Sequence, residues 1–243
     1  MNKFDGHCPF QPTTNAADQT TRPFPELFGS TDDECAIDTT GPQHRALNDE
    51  EPLSQLRCHA TKKPAELLGA QELVRRRYAW RGYHVPETQG ATFPDKTRAP
   101  HYLTFVAKSV NALVGTVTLG MDSIHGLLVD EANKREADRL RAHGKRLCEL
   151  VRLAVEDGVN SKAVLASLFQ CVYTMGRRVH NLTDVLIEVN PRHVPFYRKV
   201  FGFVCASEEK MCQRVGAVSV LLSLDISSLE ERLMFPARVA GLI

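Results

Sequence analysis

Apolar and polar positions begin to order near Leu53, and their periods divide the chain into strands and helices. LRCHAT (Leu56–Thr61) reads as a first strand. Pro64 suits the first turn of a helix running to about Arg81, with Leu67, Leu68, Val74 and Tyr78 on its apolar side. His101–Ser109 and Val114–Met121 are rich in β-branched residues and joined by a short link, so they predict an antiparallel hairpin. Residues 126–145 are charged and read as a helix. An apolar run then extends from Leu147 to Val155, interrupted by Glu149 and Arg152. After the turn Glu156, Asp157, Gly158, a helix capped by Asn160 or Ser161 places Val164, Leu165, Leu168, Phe169, Val172 and Met175 on one face. DVLIEVNP (Asp184–Pro191) predicts a buried strand ended by proline. A short helix over 192–201 stops at Gly202, strands follow near 204–206 and 217–226, and a last helix spans 228–234.

Strands and helices alternate in the second half, and a hairpin occupies the first. That order predicts a mixed α/β sheet with helices on both faces. Residues 82–100 contain five Gly or Pro and predict a long loop, a setting that suits substrate binding, with Trp80, Tyr83 and Phe93 available to line it. Residues 1–52 are rich in Pro, Thr, Asp and Gly without periodicity, and predict an acidic, largely disordered arm ahead of one folded domain over 53–243.

Charge sharpens this division. Residues 1–60 carry four Lys/Arg against ten Asp/Glu, which leaves 26 against 19, or +7, for the remainder. A basic folded part suits acidic ligands or partners. Lys134–Arg146 and Arg75–Arg77 are its densest stretches. Seven scattered cysteines without a C-x-x-C pair fit reduced thiols in the cytoplasm, and the nine histidines form no metal-binding pattern. The first twelve residues have no apolar core, and no run is long enough to span a bilayer. A soluble cytoplasmic protein without membrane insertion, metal or nucleic-acid partner is expected.

Residues 146–181 carry the candidate chemistry. A strand that leads through a short loop into a helix N-terminus presents unpaired N–H groups and a favourable dipole to a phosphorylated ligand. Asn160, Ser161 and Lys162 stand at that terminus. An ionised residue inside a central strand is seldom tolerated unless paired or used, so Glu149 is the candidate base. Arg152 lies three positions on and shares a face with Glu149 only if a bulge intervenes. Glu188 on the neighbouring strand is the rival carboxylate. There is no G-x-S-x-G or Cys/His pattern, which favours direct transfer over a covalent acyl-enzyme.

Three pieces together resemble the GNAT acyltransferase fold: the strand–loop–helix 146–181, the stretch Asn190–Phe203 (NPRHVPFYRKVFGF), and the strand order. Within that superfamily, ELVRLAV (Glu149–Val155), VNPRHVPFYRKVFGF (Val189–Phe203) and the helix from Gly126 to Arg146 resemble the N-acyl amino acid synthases, with acyl-homoserine-lactone synthases more distant. The resemblance implies a GNAT-like, mostly antiparallel sheet whose fourth and fifth strands splay around an acyl thioester. It implies an N-acyltransferase carrying a long-chain acyl group from an acyl carrier protein to the amine of an amino acid. Tyr197 would protonate the departing thiolate, and the backbone of Leu153, Ala154 and Val155 would hold the developing oxyanion. Trp80, Glu188, Asn190 and His193 would line the acceptor side. The stretch Glu156–Ser161 lacks the glycine-rich pyrophosphate cradle of acetyl-CoA enzymes, which favours the carrier-bound acyl-phosphopantetheine thioester over acyl-CoA. Thr118 stands where lactone synthases carry arginine, which disfavours S-adenosylmethionine as acceptor. A CoA-dependent acetyltransferase and a catalytically silent acyl-binding domain are the alternatives.

Overall fold

The computed structural model describes residues 56–83, 101–110 and 112–229. The expected N-terminal arm, Phe93 and all but the start of the expected helix 228–234 lie outside them. The described residues form strands β1 (Leu56–Thr61), β2 (Tyr102–Ser109), β3 (Ala112–Met121), β4 (Leu147–Val155), β5 (Asp184–Val189), β6 (Val204–Cys205), β7 (Lys210–Cys212) and β8 (Ala217–Asp225). The helices are α1 (Pro64–Trp80), α2 (Asp130–Ala142), α3 (Ser161–Tyr173) and a short α4 (Val194–Phe196) that continues as a wider turn over Tyr197–Phe201.

The strands run in the order β1-β2-β3-β4-β5-β8-β6, with β7 paired to β8 off that path. Every pairing is antiparallel except β4–β5. That one parallel contact follows from the α3 crossover, since a parallel link needs a long connection and a hairpin does not. Helices lie on both faces. Phe169, Leu168 and Val164 of α3 pack with Phe105, Leu119, Leu150, Ile187 and Leu222 on one side. On the other, Leu73 and Val74 of α1 meet Ala154, while Leu127, Leu147, Leu186 and Leu221 form a third cluster. Alternate residues of β4 and β5 feed opposite clusters, which is why both strands read as nearly continuous apolar runs. Gly115 is required where α3 comes closest: a Cβ there would lie 2.4 Å from Val164 Cγ1.

Two boundaries differ from the sequence expectation. The helix expected over 126–145 is confined to Asp130–Ala142, because the preceding turn gives its amides to carboxylates (Asp130 Oδ2 accepts from Leu127 N, 2.8 Å). Strand β7 was not foreseen, being three residues long and too short to show a period.

Candidate active site at the β4–β5 splay

The parallel register runs from Leu147↔Asp184 to Leu150↔Ile187 and stops there. Beyond it β4 continues to Val155 without β5, and the two strands diverge. A bulge accompanies the divergence: Thr118 pairs with Val151 and Thr116 with Ala154, so Arg152 and Leu153 together oppose Val117. Arg152 adopts the left-handed conformation (φ 57°) that lets the extra residue be absorbed. The bulge meets the condition set for Arg152 to share a face with Glu149, and the Arg152 charge acts on the phenol of Tyr78 on α1. The Glu156 amide donates to the Val114 carbonyl on β3. Strand alternation therefore turns the amide of Val155, and with it that of Leu153, toward the unpaired edge.

Glu149 is fully buried (0% exposed) and holds three donors. Oε1 accepts from Tyr102 Oη (2.5 Å) and Leu128 N (2.8 Å), and Oε2 from Val129 N (2.9 Å). Burial raises its pKa, and the three donors pull against that rise. Its carboxylate fixes the turn ahead of α2, a function the sequence pattern did not indicate. Gly120 permits this arrangement: a Cβ there would lie 2.4 Å from the Tyr102 ring and 3.0 Å from Glu149 Cγ.

Glu188 projects from β5 to the same side, one residue past the last register pair. It accepts from Asn133 Nδ2 (2.9 Å) and forms an ion pair with Arg214. Burial raises its pKa, with Arg214 and Asn133 opposing. Arg214 also donates to the Leu128 carbonyl (2.6 Å) and pairs with Glu131 (2.9 Å). Leu128 is thus held at its N–H by Glu149 and at its carbonyl by Arg214. Tyr102, Asn133 and Arg214 escaped the sequence reading. Arg214 sits in the β7–β8 turn, 26 residues from its partner, and nothing local marks it.

The end of α1 and the segment after β5 face each other across the splay. Tyr197, on the α4 side, feels the charges of Tyr78, Arg81 and Tyr83 at the end of α1, and burial holds its phenol well above the usual range. Burial pushes Tyr78 up to about 12. His193 is held down to about 4 by burial, then by Arg192 and Arg81, so its ring is neutral at physiological pH. Asn190 caps the turn it precedes, accepting from Arg192 N (3.2 Å). Trp80 is half-exposed (50%), with the Arg77 and Arg81 guanidinium groups 5.1 and 5.7 Å from its ring.

At the start of α3, Asn160 is the cap, its side chain accepting from Ala163 N (3.1 Å), and Ser161 Oγ donates to the Val159 carbonyl (3.4 Å). Lys162 is half-buried on the first turn. The connecting loop is tied back to α1: Glu156 bonds Arg76 (2.7 and 3.2 Å) and Asp157 lies 3.7 Å from Arg77. Arg75 bonds Glu72, so all three arginines of that cluster already face carboxylates. In the second basic stretch Arg141 binds Asp122, Asp130 and Asp138, Lys134 binds Asp138, and Lys145 reaches Asp184. In Lys134–Arg146, then, Lys134, Arg141 and Lys145 are braced against carboxylates of the same chain, while Arg135, Arg139 and Arg146 are exposed. Among the described residues no group of three His, Cys, Asp or Glu is placed to hold a metal ion, and no helix is long and apolar enough to cross a membrane.

A sheet that splits between parallel fourth and fifth strands, with a bulge in the fourth, defines the GNAT class of acyltransferases. Solved structures agree on the fold. Escherichia coli ElaA superposes with a TM-score of 0.51 at 10% identity (70% of this chain, 99% of that one), and the spermidine/spermine N-acetyltransferase SpeG from Vibrio cholerae with 0.50 at 15% (74% and 98%). FeeM, an N-acyl amino acid synthase from uncultured soil microbes, superposes with a TM-score of 0.65 at 27% identity, over 73% of this chain and 94% of that one. A search of curated proteins finds no match. The family model for the N-acyl amino acid synthase FeeM matches residues 69–225, and the chain belongs to that family. It is an N-acyltransferase.

Proposed function

We propose that the enzyme moves a long-chain acyl group from the phosphopantetheine thioester of an acyl carrier protein to the amine of an amino acid. The splay carries this reading: an extended pantetheine arm fits the open edge of β4, where the Val155 and Leu153 amides point. Those amides would also meet the thioester oxygen as it becomes an oxyanion. The preference for a carrier over CoA rests on the loop before α3. Glu156 and Asp157 put two carboxylates in that loop, facing Arg76 and Arg77, and Asn160 occupies the Ala163 amide. A single phosphate on a carrier suits that loop better than a diphosphate.

In this reading the ammonium of the acceptor gives its proton to Glu188, whose basicity burial raises. The amine nitrogen then bonds to the thioester carbon, the C–S bond breaks, and Tyr197 protonates the leaving thiolate. Burial keeps the Tyr197 phenol protonated, as an acid requires. Glu149 serves as a positioning residue through Tyr102 and the 127–129 turn. His193 stays neutral and lines the acceptor side, and Arg152 lies on the same face.

The test is mass spectrometry of reactions containing purified enzyme, the twenty standard amino acids, and either palmitoyl carrier protein or palmitoyl-CoA. N-palmitoyl amino acids formed faster from the carrier support the reading. Faster turnover with CoA would reverse the donor assignment, and acylation only of non-amino-acid amines would reject the acceptor. Glu188→Gln should lower kcat about 100-fold or more with little change in KM.

A further inference from the structure

The buried stripe of α2 carries a polar residue where an apolar one would pack. Asn133 and Ala137, four positions apart, are the buried residues of that helix, and Asn133 is 1% exposed. The helix breaks at this residue: Asn133 leaves helical geometry (φ −128°, ψ 30°), and Lys210 Nζ donates to the Ala132 carbonyl (3.1 Å) beside the break. Asn133 Nδ2 donates to Glu188 Oε1 (2.9 Å). Its Oδ1, on the same amide, is buried and meets no donor among the described residues. Arg77, Glu136 and Asp184 also bury one such atom, but each of them faces an opposite charge, in Asp157, Lys210 and Lys145. A neutral amide has no ion pair to offset a bare carbonyl, and an apolar side chain on the same stripe would bury nothing unpaired. Securing Glu188 accounts for Nδ2 alone.

Electrostatics direct a cation to the same oxygen of Glu188. Arg214 occupies Oε2, so a positive group is repelled from that side and reaches the carboxylate at Oε1, next to the Asn133 amide. The negative charge of Glu131 also bears on Glu188. An ammonium carries three N–H groups, and a carboxylate with an adjacent carbonyl can take two of them. We propose that Asn133 binds the acceptor nitrogen, Oδ1 accepting one N–H while Glu188 removes the proton from another. The inference rests on Glu188 as the base, and it adds the group that holds the nitrogen once its charge is gone. One N–H bond breaks and its proton passes to Glu188, while a second N–H stays on Oδ1 as the lone pair turns to the thioester carbon. As the N–C bond forms, the nitrogen sheds one more proton, which replaces the one that Tyr197 gives the thiolate, and Glu188 returns its own to solvent. The finished amide keeps a single N–H, on Asn133.

The experiment is calorimetric titration of the full chain with N-dodecanoylglycine and O-dodecanoylglycolic acid, which differ only in N–H against O. Glycine has no side chain, so the pair is indifferent to which amino acid is the natural acceptor. The proteins are wild type, Asn133→Leu, Asn133→Ala, Asn133→Asp and Glu188→Gln, and thermal unfolding checks that each is folded. Wild type should bind the amide at least about fivefold more tightly than the ester. Asn133→Leu and Asn133→Ala, one filling the space and one opening it, should both lose that preference. Asn133→Asp keeps an acceptor oxygen and should retain part of it. Glu188→Gln should keep the preference and lose kcat. Equal affinities in wild type, binding of neither probe, or folded leucine and alanine variants that discriminate as wild type does would overturn the proposal. So would a preference lost in Glu188→Gln and kept in Asn133→Leu, which places the N–H on Glu188. The base assignment fails separately: a normal kcat in Glu188→Gln, beside a preference that depends on Asn133, would reject Glu188 as the base and leave the Asn133 site standing.

Discussion

Glu149 illustrates how a buried carboxylate is held when three donors surround it. Each oxygen is committed, and the donors come from two separate elements, the Tyr102 side chain and the turn before α2. Glu149→Gln would aim an amide N–H₂ at groups that are themselves donors, leaving at least one buried amide without an acceptor. The expected loss of stability is about 2–4 kcal/mol, measured by urea denaturation, with a smaller effect on kcat/KM per folded molecule than Glu188→Gln has. A Glu149→Gln enzyme of normal stability that is wholly inactive would instead mark Glu149 as the base. The sequence showed that this glutamate was exceptional, because an acid stood in an apolar strand. It did not show what bound it, because Tyr102 lies 47 positions away and backbone amides have no signature in sequence. Tyr197 and Glu188 were likewise legible as candidates, while Arg214 and Asn133 were not. Their roles depend on pairs made only when distant turns fold together.

The bulge in β4 is the element on which the site depends. Every long strand and helix that frames it was legible from apolar periodicity: β1, α1, the β2–β3 hairpin, β4, α3, β5 and β8 all lie within a few residues of expectation. The bulge itself was a condition rather than a reading, since nothing in LVRLAV forces one residue into the left-handed region. Arg152 at φ 57° is in a conformation that β-branched residues avoid strongly and glycine adopts freely. Arg152→Val should therefore press the strand toward regular register, costing about 1–3 kcal/mol of stability and carrying β4 toward β5. Arg152→Gly removes the same side chain while keeping the bulge. Activity lost in the valine variant and largely kept in the glycine variant would assign the requirement to backbone shape. Equal loss in both would assign it to the guanidinium. Urea denaturation and steady-state kinetics on the two proteins settle the matter.

At the scale of the whole molecule, charge is distributed unevenly, with +7 on residues 61–243, and part of the basic charge in Arg75–Arg77 and Lys134–Arg146 is engaged in internal ion pairs. Arg192, Arg198 and Lys199 are exposed on the segment that closes the splay after β5, and Lys162 lies on the first turn of α3. A carrier whose pantetheine enters the splay would stand over this rim, so an acidic carrier would be drawn to it from a distance. Long-range attraction of that kind is screened once the Debye length falls below the separation of the charges. The value of kcat/KM for palmitoyl carrier protein should therefore fall about tenfold between about 20 and 300 mM salt, mainly through KM. Palmitoyl-N-acetylcysteamine carries no phosphate and no protein, so its kcat/KM should change less than about twofold over the same range. Replacing Arg198 and Lys199 together by glutamate should raise the KM for the carrier and leave the neutral donor unaffected. If both donors respond alike to salt, the effect belongs to the active site rather than to docking. If neither responds, the carrier meets a different surface, because an acidic protein cannot approach this rim without sensing its charge.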